Sequence, residues 1–336
     1  MLHVYNRYSD YLRQKYGCAV YKLPINLPVT CPNRMPPPIR RDELCSSTDA
    51  HSVPLQKGGG CSFCGEVGTG FEALPNTTPI SEQLAAGAAK MRELYKAEKF
   101  IAYFQNFTNT YMSLDEFATY IEEAAVFPDL AEIAVSTRPD CIATPYLEIL
   151  QNIGTRTERP LCVSIELGLQ TANYHTLTKV NRGHSLAEFI DAVMQIKPYG
   201  FDICAHIILN LPWDNELDAV ETAKIVSALG IQQVKLHALY ILKNTPMAQQ
   251  YLSGEISLIS KEEYIDRAIT FLEHLSPEIA VQRVIGRSPK NGSVFSNWGA
   301  SWWAIHDAIL DKMAKENRRQ GRLCNYIGGA AVKHFL

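Results

Sequence analysis

Short apolar runs alternate with longer amphipathic runs along most of this chain, and this alternation constrains the fold more than any other feature of the sequence. Seven runs are nearly continuous in Val, Ile, Leu and Phe, as strands buried on both faces are. They cover Tyr21–Val29, Phe100–Asn106, Ala131–Ser136, Leu161–Gly168, Phe201–Leu209, Gln233–Tyr240 and Ala280–Ile285. Helical periodicity covers Ser81–Lys99, Leu114–Phe127, Pro145–Ile153, Ser185–Lys197, Glu216–Leu229 and Lys261–Leu275. The alternation predicts βαβ units and a parallel sheet, and about six such units favour an α/β barrel or partial barrel.

The overall charge and the lack of long apolar segments exclude several classes of protein. The 336 residues carry a formal net charge of −3, so a globally basic, histone-like nucleic-acid binder is excluded and any polyanion site must be a local patch. The longest apolar run, Ile203 to Leu211, is broken by His206 and Asn210 and is too short to span a membrane. Residues 1–10 lack the apolar segment of a secretory signal, so we expect a cytoplasmic protein without disulfides.

A glycine-rich segment with paired cysteines carries the strongest chemical signal. Cys61 and Cys64 form a C-x-x-C pair within Gly58-Gly-Gly-Cys-Ser-Phe-Cys-Gly65, a spacing typical of metal ligands. Cys31 follows the first predicted strand, and a long polar loop over 34–60 separates it from the pair. Three thiolates at one place suit iron or zinc, and Cys45 in the loop could complete a four-cysteine zinc site. A [4Fe–4S] cluster held by three cysteines would instead leave one iron free for a substrate or cosubstrate.

Further motifs follow the cysteines in a fixed order. They are Cys31-Pro-Asn-Arg34, Gly59-Gly-Cys-Ser-Phe-Cys64, Tyr103-Phe-Gln-Asn-Phe-Thr-Asn-Thr-Tyr111, Ser136-Thr-Arg-Pro-Asp140, Glu166-Leu-Gly-Leu-Gln170, Asn181-Arg-Gly-His184 and Lys235-Leu-His237. This ordered set resembles the radical S-adenosylmethionine (SAM) superfamily. Within it, the chain resembles the YhcC/YtqA-type family, which is related to the radical SAM domain of Elp3-like tRNA-modifying proteins.

The resemblance implies a fold and two cofactors. The fold is a partial (β/α)6 TIM-type radical SAM barrel over residues 1–290, with the cluster loop at 31–65 and a C-terminal helical extension over 291–336. The cofactors are a [4Fe–4S] cluster, bound by Cys31, Cys61 and Cys64, and SAM, which is cleaved to a 5′-deoxyadenosyl radical. The insert that brings Cys45 is longer than the family pattern, so Cys45 could replace Cys31 or serve a second site.

The predicted SAM-binding residues follow the ends of the predicted strands, where the chemistry of an α/β barrel collects. By resemblance, an aromatic residue packs on adenine and two polar residues hold the methionyl ammonium. Polar and charged groups at the next strand ends can bind ribose hydroxyls or a carboxylate, the latter through a bidentate guanidinium. Apolar residues after the fifth strand are expected to complete the adenine wall. The set is Phe63, Gln105, Asn106, Ser136, Arg138, Glu166, Gln170, Arg182 and Leu211, with Ile207 and Leu209 in the wall.

The substrate-site candidates lie on the last two strands. Strict alternation points Lys235 and His237 to the same face, which is the interior of a barrel. Arg283 follows Gln282 at the end of the last predicted strand. We therefore predict that Lys235, His237 and Arg283 contact substrate, while a histidine such as His206 is more often an ordinary core or rim residue.

The resemblance also implies partners. The substrate would be a wobble uridine side chain in tRNA, and a flavodoxin or ferredoxin would supply the electron; no membrane partner is expected. Two alternatives remain open: the same chemistry on a small metabolite or protein, and a non-catalytic iron–sulfur or zinc protein. Lys312, Lys315, Arg319 and Arg322 share one face if the C-terminal helix continues through Gly321, which predicts a basic patch for RNA phosphates.

Overall fold

The computed structural model describes residues 3–34, 59–65, 73–156, 160–289 and 292–335. The two ends of the cluster loop are therefore described, with Cys31, Cys61 and Cys64. Cys45 lies outside the described residues, with the rest of 35–58. Within the described ranges, no helix is long and apolar enough to cross a lipid bilayer.

One parallel sheet of seven strands is the frame of the molecule. The strands are β1 (Val20–Ile25), β2 (Lys99–Phe104), β3 (Leu130–Thr137), β4 (Cys162–Gln170), β5 (Asp202–Ile208), β6 (Gln233–His237), β7 (Ile241–Leu242), β8 (Ala280–Arg283) and β9 (Ser293–Phe295). The large sheet has the order β1-β2-β3-β4-β5-β6-β8, and β7 pairs antiparallel with β9. The predicted α/β partial barrel is confirmed, and all seven predicted strands are present, with β8 as the edge strand beside β6.

The helices connect the parallel strands and cover the sheet. They are α1 (Tyr8–Tyr16), α2 (Ile80–Tyr95), α3 (Leu114–Ala125), α4 (Thr144–Arg156), α5 (Tyr174–Lys179), α6 (Leu186–Ile196), α7 (Glu216–Ala228), α8 (Pro246–Leu252), α9 (Lys261–His274) and α10 (Trp302–Lys315). Capping boxes begin α3 at Ser113 and α9 at Ser260, because each serine accepts the N–H of a glutamate three residues on and that glutamate bonds back. All six predicted helices are present.

The N-terminal helix α1 closes the barrel at the starts of the strands. Tyr11 donates a 2.6 Å hydrogen bond to Asp202, and Tyr16 donates a 2.5 Å bond to the fully buried Glu132. Lys15 lies 2.8 Å from Asp202 and 3.2 Å from Glu132, so it neutralises both carboxylates. Because α1 covers the amino ends of the strands, the open end of the barrel lies at their carboxyl ends.

The C-terminal helix ends earlier than the basic-patch prediction requires. α10 packs on α9 and stops at Lys315, and Asn317 takes a left-handed φ of 52°. Gly321 has a φ of 77°, so no helix continues through it and the predicted single basic face is wrong.

Two of the four cations of the predicted patch are already paired. Arg322 binds Glu273, a carboxylate that also lies 2.6 Å from Arg318 Nη2. Lys312 pairs with Asp266 on α9. Lys315 and Arg319 remain exposed, so they are what is left of the patch.

Candidate functional site

The three cysteines lie on two short turns beyond the strand ends. Cys31 follows β1 and directly precedes a 3-10 turn. Cys61 and Cys64 share a second turn, in which the N–H of Cys64 donates to the carbonyl of Cys61 at 2.9 Å. Gly60 has a φ of 78°, which glycine adopts without Cβ strain, and its N–H donates to the carbonyl of Asn33 at 2.7 Å. This bond ties the two cysteine turns together.

The donor set at these turns suits an iron–sulfur cluster. Three thiolates hold a [4Fe–4S] cluster and leave one iron without a protein ligand, whereas a closed structural zinc site takes four ligands. Cys31, Cys61 and Cys64 all line one cavity.

Buried N–H donors surround two of these sulfur atoms. Arg182 Nη1 lies 3.5 Å from Cys61 Sγ, and Asn33 Nδ2 lies 3.6 Å from the same atom. Arg138 Nη1 lies 3.8 Å from Cys31 Sγ. Cationic and amide donors stabilise thiolates, so this environment suits ligated cysteine.

The two arginines that were predicted to bind SAM are held by the protein. Arg138 donates through Nε and Nη2 to the two oxygens of Asp140, each at 2.8 Å, and through Nη1 to the carbonyl of Arg182 at 2.8 Å. Arg182 Nη2 donates to the carbonyl of Gly168 at 2.8 Å. A Cβ on Gly168 would lie 2.6 Å from Arg182 Nη2, so only glycine permits this approach. Direct contact of either arginine with SAM stays a prediction.

One cavity joins the cysteines to most of the predicted site residues. It extends over the carboxyl ends of the central strands, as expected for an α/β barrel. The predicted residues that line it are Cys31, Cys61, Phe63, Cys64, Gln105, Ser136, Arg138, Glu166, Gln170, Arg182, Lys235, His237 and Arg283. Tertiary structure thus brings together residues from the beginning, the middle and the last quarter of the chain.

Two predicted SAM residues do not line this cavity. Asn106 is buried beside Asn26, and Asn106 Nδ2 donates a 3.1 Å hydrogen bond to Asn26 Oδ1. Leu211 packs in an apolar cluster with Phe63 and Ile208. Ile208 lines the cavity itself, whereas Ile207 and Leu209 belong to the main core between sheet and helices. At the end of β5 the residue that faces the cavity is therefore Ile208, one position away from the predicted wall residues Ile207 and Leu209.

Glu166 is the centre of a polar network inside the barrel, and its side chain is fully buried. Its Oε2 accepts a 2.6 Å hydrogen bond from Tyr103 and lies 2.6 Å from His206 Nε2 and 3.1 Å from Lys235 Nζ. Every strand of the large sheet contributes one member: Lys22, Tyr103, Ser136, Glu166, His206, Lys235 and Gln282. Both carboxylate oxygens are occupied by protein partners, so a bond from Glu166 to SAM stays a prediction.

The network shifts the proton affinities of its members. Burial opposes ionisation of Glu166, but the ammonium groups of Lys22 and Lys235 hold the pKa of this carboxyl well below its usual value. Burial lowers the pKa of Lys235 to about 8 despite the opposing effect of Glu166. Burial, followed by repulsion from Lys235, lowers the pKa of His206 to about 4, so this imidazole is neutral at pH 7.

The ligand atoms of Glu166, Cys204 and His206 lie close enough to hold a metal ion. However, two ammonium groups contact the same carboxylate, and they oppose a further cation at this place. We therefore interpret the group as part of the polar network.

The remaining substrate candidates lie beside it. Arg283 Nη2 lies 2.8 Å from His237 Nδ1. Burial, which is the larger cause, and the positive charge of Arg283 hold the pKa of His237 well below its usual value. The rings of His206 and His237 lie 5.4 Å apart between centroids. The cavity therefore combines neutral imidazoles with cationic groups at the end of β6 and β8, and contact with substrate stays a prediction.

The sequence analysis missed three members of the network: Lys22, Tyr103 and Gln282. The available signal was a charged or polar side chain inside an otherwise apolar strand, as Lys22 is within Tyr21–Val29. A buried lysine requires a buried partner. That partner lies on strands distant in sequence, and the chain alone does not reveal which carboxylate it is.

A partial parallel barrel with three cysteines beside a cavity at the strand ends is typical of radical SAM proteins. The family model described as the Radical SAM superfamily matches residues 58–226, and the Radical_SAM C-terminal domain matches residues 231–315. YtqA of Bacillus subtilis (strain 168) is 31% identical over 318 residues, which cover 95% of this chain and 92% of YtqA. The chain belongs to the radical SAM superfamily, within the YhcC/YtqA-type family.

Two further similarities cover smaller parts of the chain. The tRNA uridine(34) acetyltransferase of Methanocaldococcus jannaschii is 24% identical over 169 residues, which cover 48% of this chain and 30% of that protein. The solved structure of Methanocaldococcus infernus Elp3 superposes with a TM-score of 0.62 at 16% identity. That superposition covers 73% of this chain and 61% of the Elp3 chain, and it shows a shared fold.

Proposed function

We propose that the protein is a radical SAM enzyme that holds a [4Fe–4S] cluster on Cys31, Cys61 and Cys64 and acts on the side chain of a wobble uridine in tRNA. The observation that carries the proposal is the single cavity that joins these cysteines to Lys235, His237 and Arg283. The cluster, when bound, supplies the electron that cleaves SAM to methionine and a 5′-deoxyadenosyl radical, which abstracts hydrogen from substrate.

The residues of this chain then have positioning roles. Phe63 and Ile208 offer an apolar wall, and Gln105 and Gln170 offer polar groups for SAM at the ends of β2 and β4. Lys235, His237 and Arg283 hold the substrate at the other end of the cavity. Ile208 and Lys235 are buried and the other residues of this set are half-buried, which restricts the access of water to the reactive species.

The tRNA substrate is supported by the similarity of about half of this chain to a tRNA uridine(34) acetyltransferase and by the fold shared with Elp3. We place the protein in the cytoplasm, where a flavodoxin or ferredoxin supplies the electron. We retain residues 1–290 as the catalytic barrel and 291–336 as its extension.

A strain that lacks the gene is expected to lose one modified wobble nucleoside and to accumulate its precursor. The measurement is mass spectrometry of the nucleosides of total tRNA from the deletion strain and its parent. A deletion strain complemented with the Cys61→Ala variant is the control, because it makes the protein without a complete ligand set. Identical nucleoside profiles in all strains would move the substrate to a small metabolite or a protein.

Charge reversal at the remaining basic positions is expected to weaken tRNA binding. The Lys315→Glu/Arg319→Glu variant removes two exposed cations, so the slope of log affinity against log salt should fall by about 2 if each contacts a phosphate. Cleavage of SAM without RNA should stay unchanged. Lys90→Glu/Lys96→Glu, which changes two exposed lysines in α2 and directly after it, is the matched control for net charge. Equal tRNA affinities of the two double variants would remove this patch from the RNA footprint.

A further inference from the structure

Arg138 and Arg182 connect the two segments that carry Cys31, Cys61 and Cys64. Arg182 joins Cys61 to the carbonyl of Gly168 at the end of β4. Arg138 joins Cys31 to the carbonyl of Arg182 itself. Arg138 is 3% exposed and Arg182 is 8% exposed, so water screens the charges of their guanidinium groups only weakly.

The segment that carries Arg182 is itself locked to the cysteine turns. Asn33 Nδ2 donates to the carbonyl of Asn181 at 2.6 Å, and Asn181 Nδ2 donates to the carbonyl of Gly60 at 2.7 Å. Gly183 has a φ of 74°, and a Cβ there would lie 2.5 Å from the side-chain oxygen of Asn33. The chain therefore holds Arg182 against Cys61 by contacts on both sides of it.

The donors of Arg182 are oriented toward sulfur and backbone. Its two terminal nitrogens contact Cys61 Sγ and the carbonyl of Gly168. Its Nε is buried and has no hydrogen-bond partner among the described residues, which leaves one donor for an acceptor that these residues do not supply.

We propose that Arg182, supported by Arg138, is a positioning residue for the cluster: it donates a charged hydrogen bond to the Cys61 thiolate and thereby raises the reduction potential of the cluster. Reduction adds one negative charge to the cluster, and a nearby cation with an N–H···S bond stabilises the reduced form more than the oxidised form. The proposal rests on the proposed function, because it requires the cluster to be present.

The test is a potentiometric titration of the anaerobically reconstituted full-length protein without SAM, followed by electron paramagnetic resonance. The Arg182→Gln variant keeps an amide donor but loses the charge. Its equilibrium constant for one-electron reduction should fall at least tenfold, a shift of about 59 mV to more negative potential. The Arg182→Lys variant keeps the charge and should shift less. The control is Arg92→Gln. Arg92 is exposed, lies near the end of α2 and pairs with Asp129, so this variant should have the reduction potential of the parent.

Each outcome decides the proposal. An unchanged potential in Arg182→Gln at parental iron content would overturn it, and a raised SAM dissociation constant at that unchanged potential would make Arg182 a SAM ligand instead. If Arg182→Gln assembles no cluster, the Arg138→Gln variant decides, because it loses the charge that contacts Cys31 and supports Arg182, and a parental potential there overturns the proposal. A parent without any iron–sulfur cluster would instead refute the proposed function, and this inference with it.

Discussion

The Cys61→Ala variant is expected to hold no [4Fe–4S] cluster and to form no 5′-deoxyadenosine from SAM. The parent should bind about four irons per chain, with one iron not held by cysteine. Removal of one of three thiolates leaves too few ligands, so the loss should be complete rather than partial. The measurements are iron and sulfide content after anaerobic reconstitution, visible absorbance, and 5′-deoxyadenosine by mass spectrometry with a strong reductant.

The same loss is expected for Cys31→Ala and Cys64→Ala, which change the other two sulfurs of the cavity. Cys324→Ala is the matched control, because this cysteine lies in the C-terminal segment after α10. Cys45→Ala should also keep the cluster, although Cys45 lies outside the described residues. Loss of the cluster in Cys45→Ala with retention in Cys31→Ala would reverse the ligand assignment. Stoichiometric zinc in the parent, without iron–sulfur absorbance, would refute the cluster.

The Glu166→Ala variant is expected to be destabilised by about 3–5 kcal/mol. Glu166 is the carboxylate that both Lys22 and Lys235 contact, and its removal leaves the buried ammonium group of Lys235 and the half-buried one of Lys22 without that partner. The measurement is the free energy of unfolding from urea titration of the cluster-free protein. Glu221→Ala is the control: its side chain is 61% exposed and pairs with Lys224 at the surface, so its effect should stay within about 0.5 kcal/mol.

The destabilisation of Glu166→Ala should shrink as the pH rises. Lys235 has a pKa lowered to about 8 even with Glu166 present, below the usual value of 10.5, and loss of the carboxylate lowers it further. Between the folded and unfolded pKa values the unfolded chain binds more protons, so folding stability increases with pH. A difference between variant and parent that stays constant from pH 7 to 10 would show that Lys235 does not titrate in this way.

The architecture could be predicted from the sequence because local patterns determine it. Buried parallel strands are continuous apolar runs, and the helices between them show helical periodicity, so all seven strands of the sheet and six connecting helices were predicted. Element ends were predicted less well. The first strand ends at Ile25 rather than Val29, and the last helix ends at Lys315 rather than continuing past Gly321. These ends depend on tertiary packing and on left-handed backbone conformations at single residues.

The three-cysteine motif could also be recognised in the sequence, since the C-x-x-C spacing and Cys31 after a strand are local features, and the binding of a cluster by these cysteines stays a prediction. The partners of the charged residues could not. Arg138, Arg182 and Glu166 were predicted to bind SAM because their type and strand-end position suit that role. In the folded protein their polar groups are bound to Asp140, to cysteine sulfur and to two lysines.

The sequence by itself determined that this chain folds as a parallel partial barrel with a three-cysteine site at the strand ends. Both features depend on local patterns, namely the apolar runs of the buried strands, the C-x-x-C spacing and the position of Cys31 after a strand. Only the tertiary structure decided which charges neutralise one another. Lys22 and Gln282 lie at opposite ends of the chain, yet both reach Glu166, because the first and last strands of the large sheet both face the same interior. The free energy of a buried charge depends on the groups within a few ångströms of it, and only folding selects those groups.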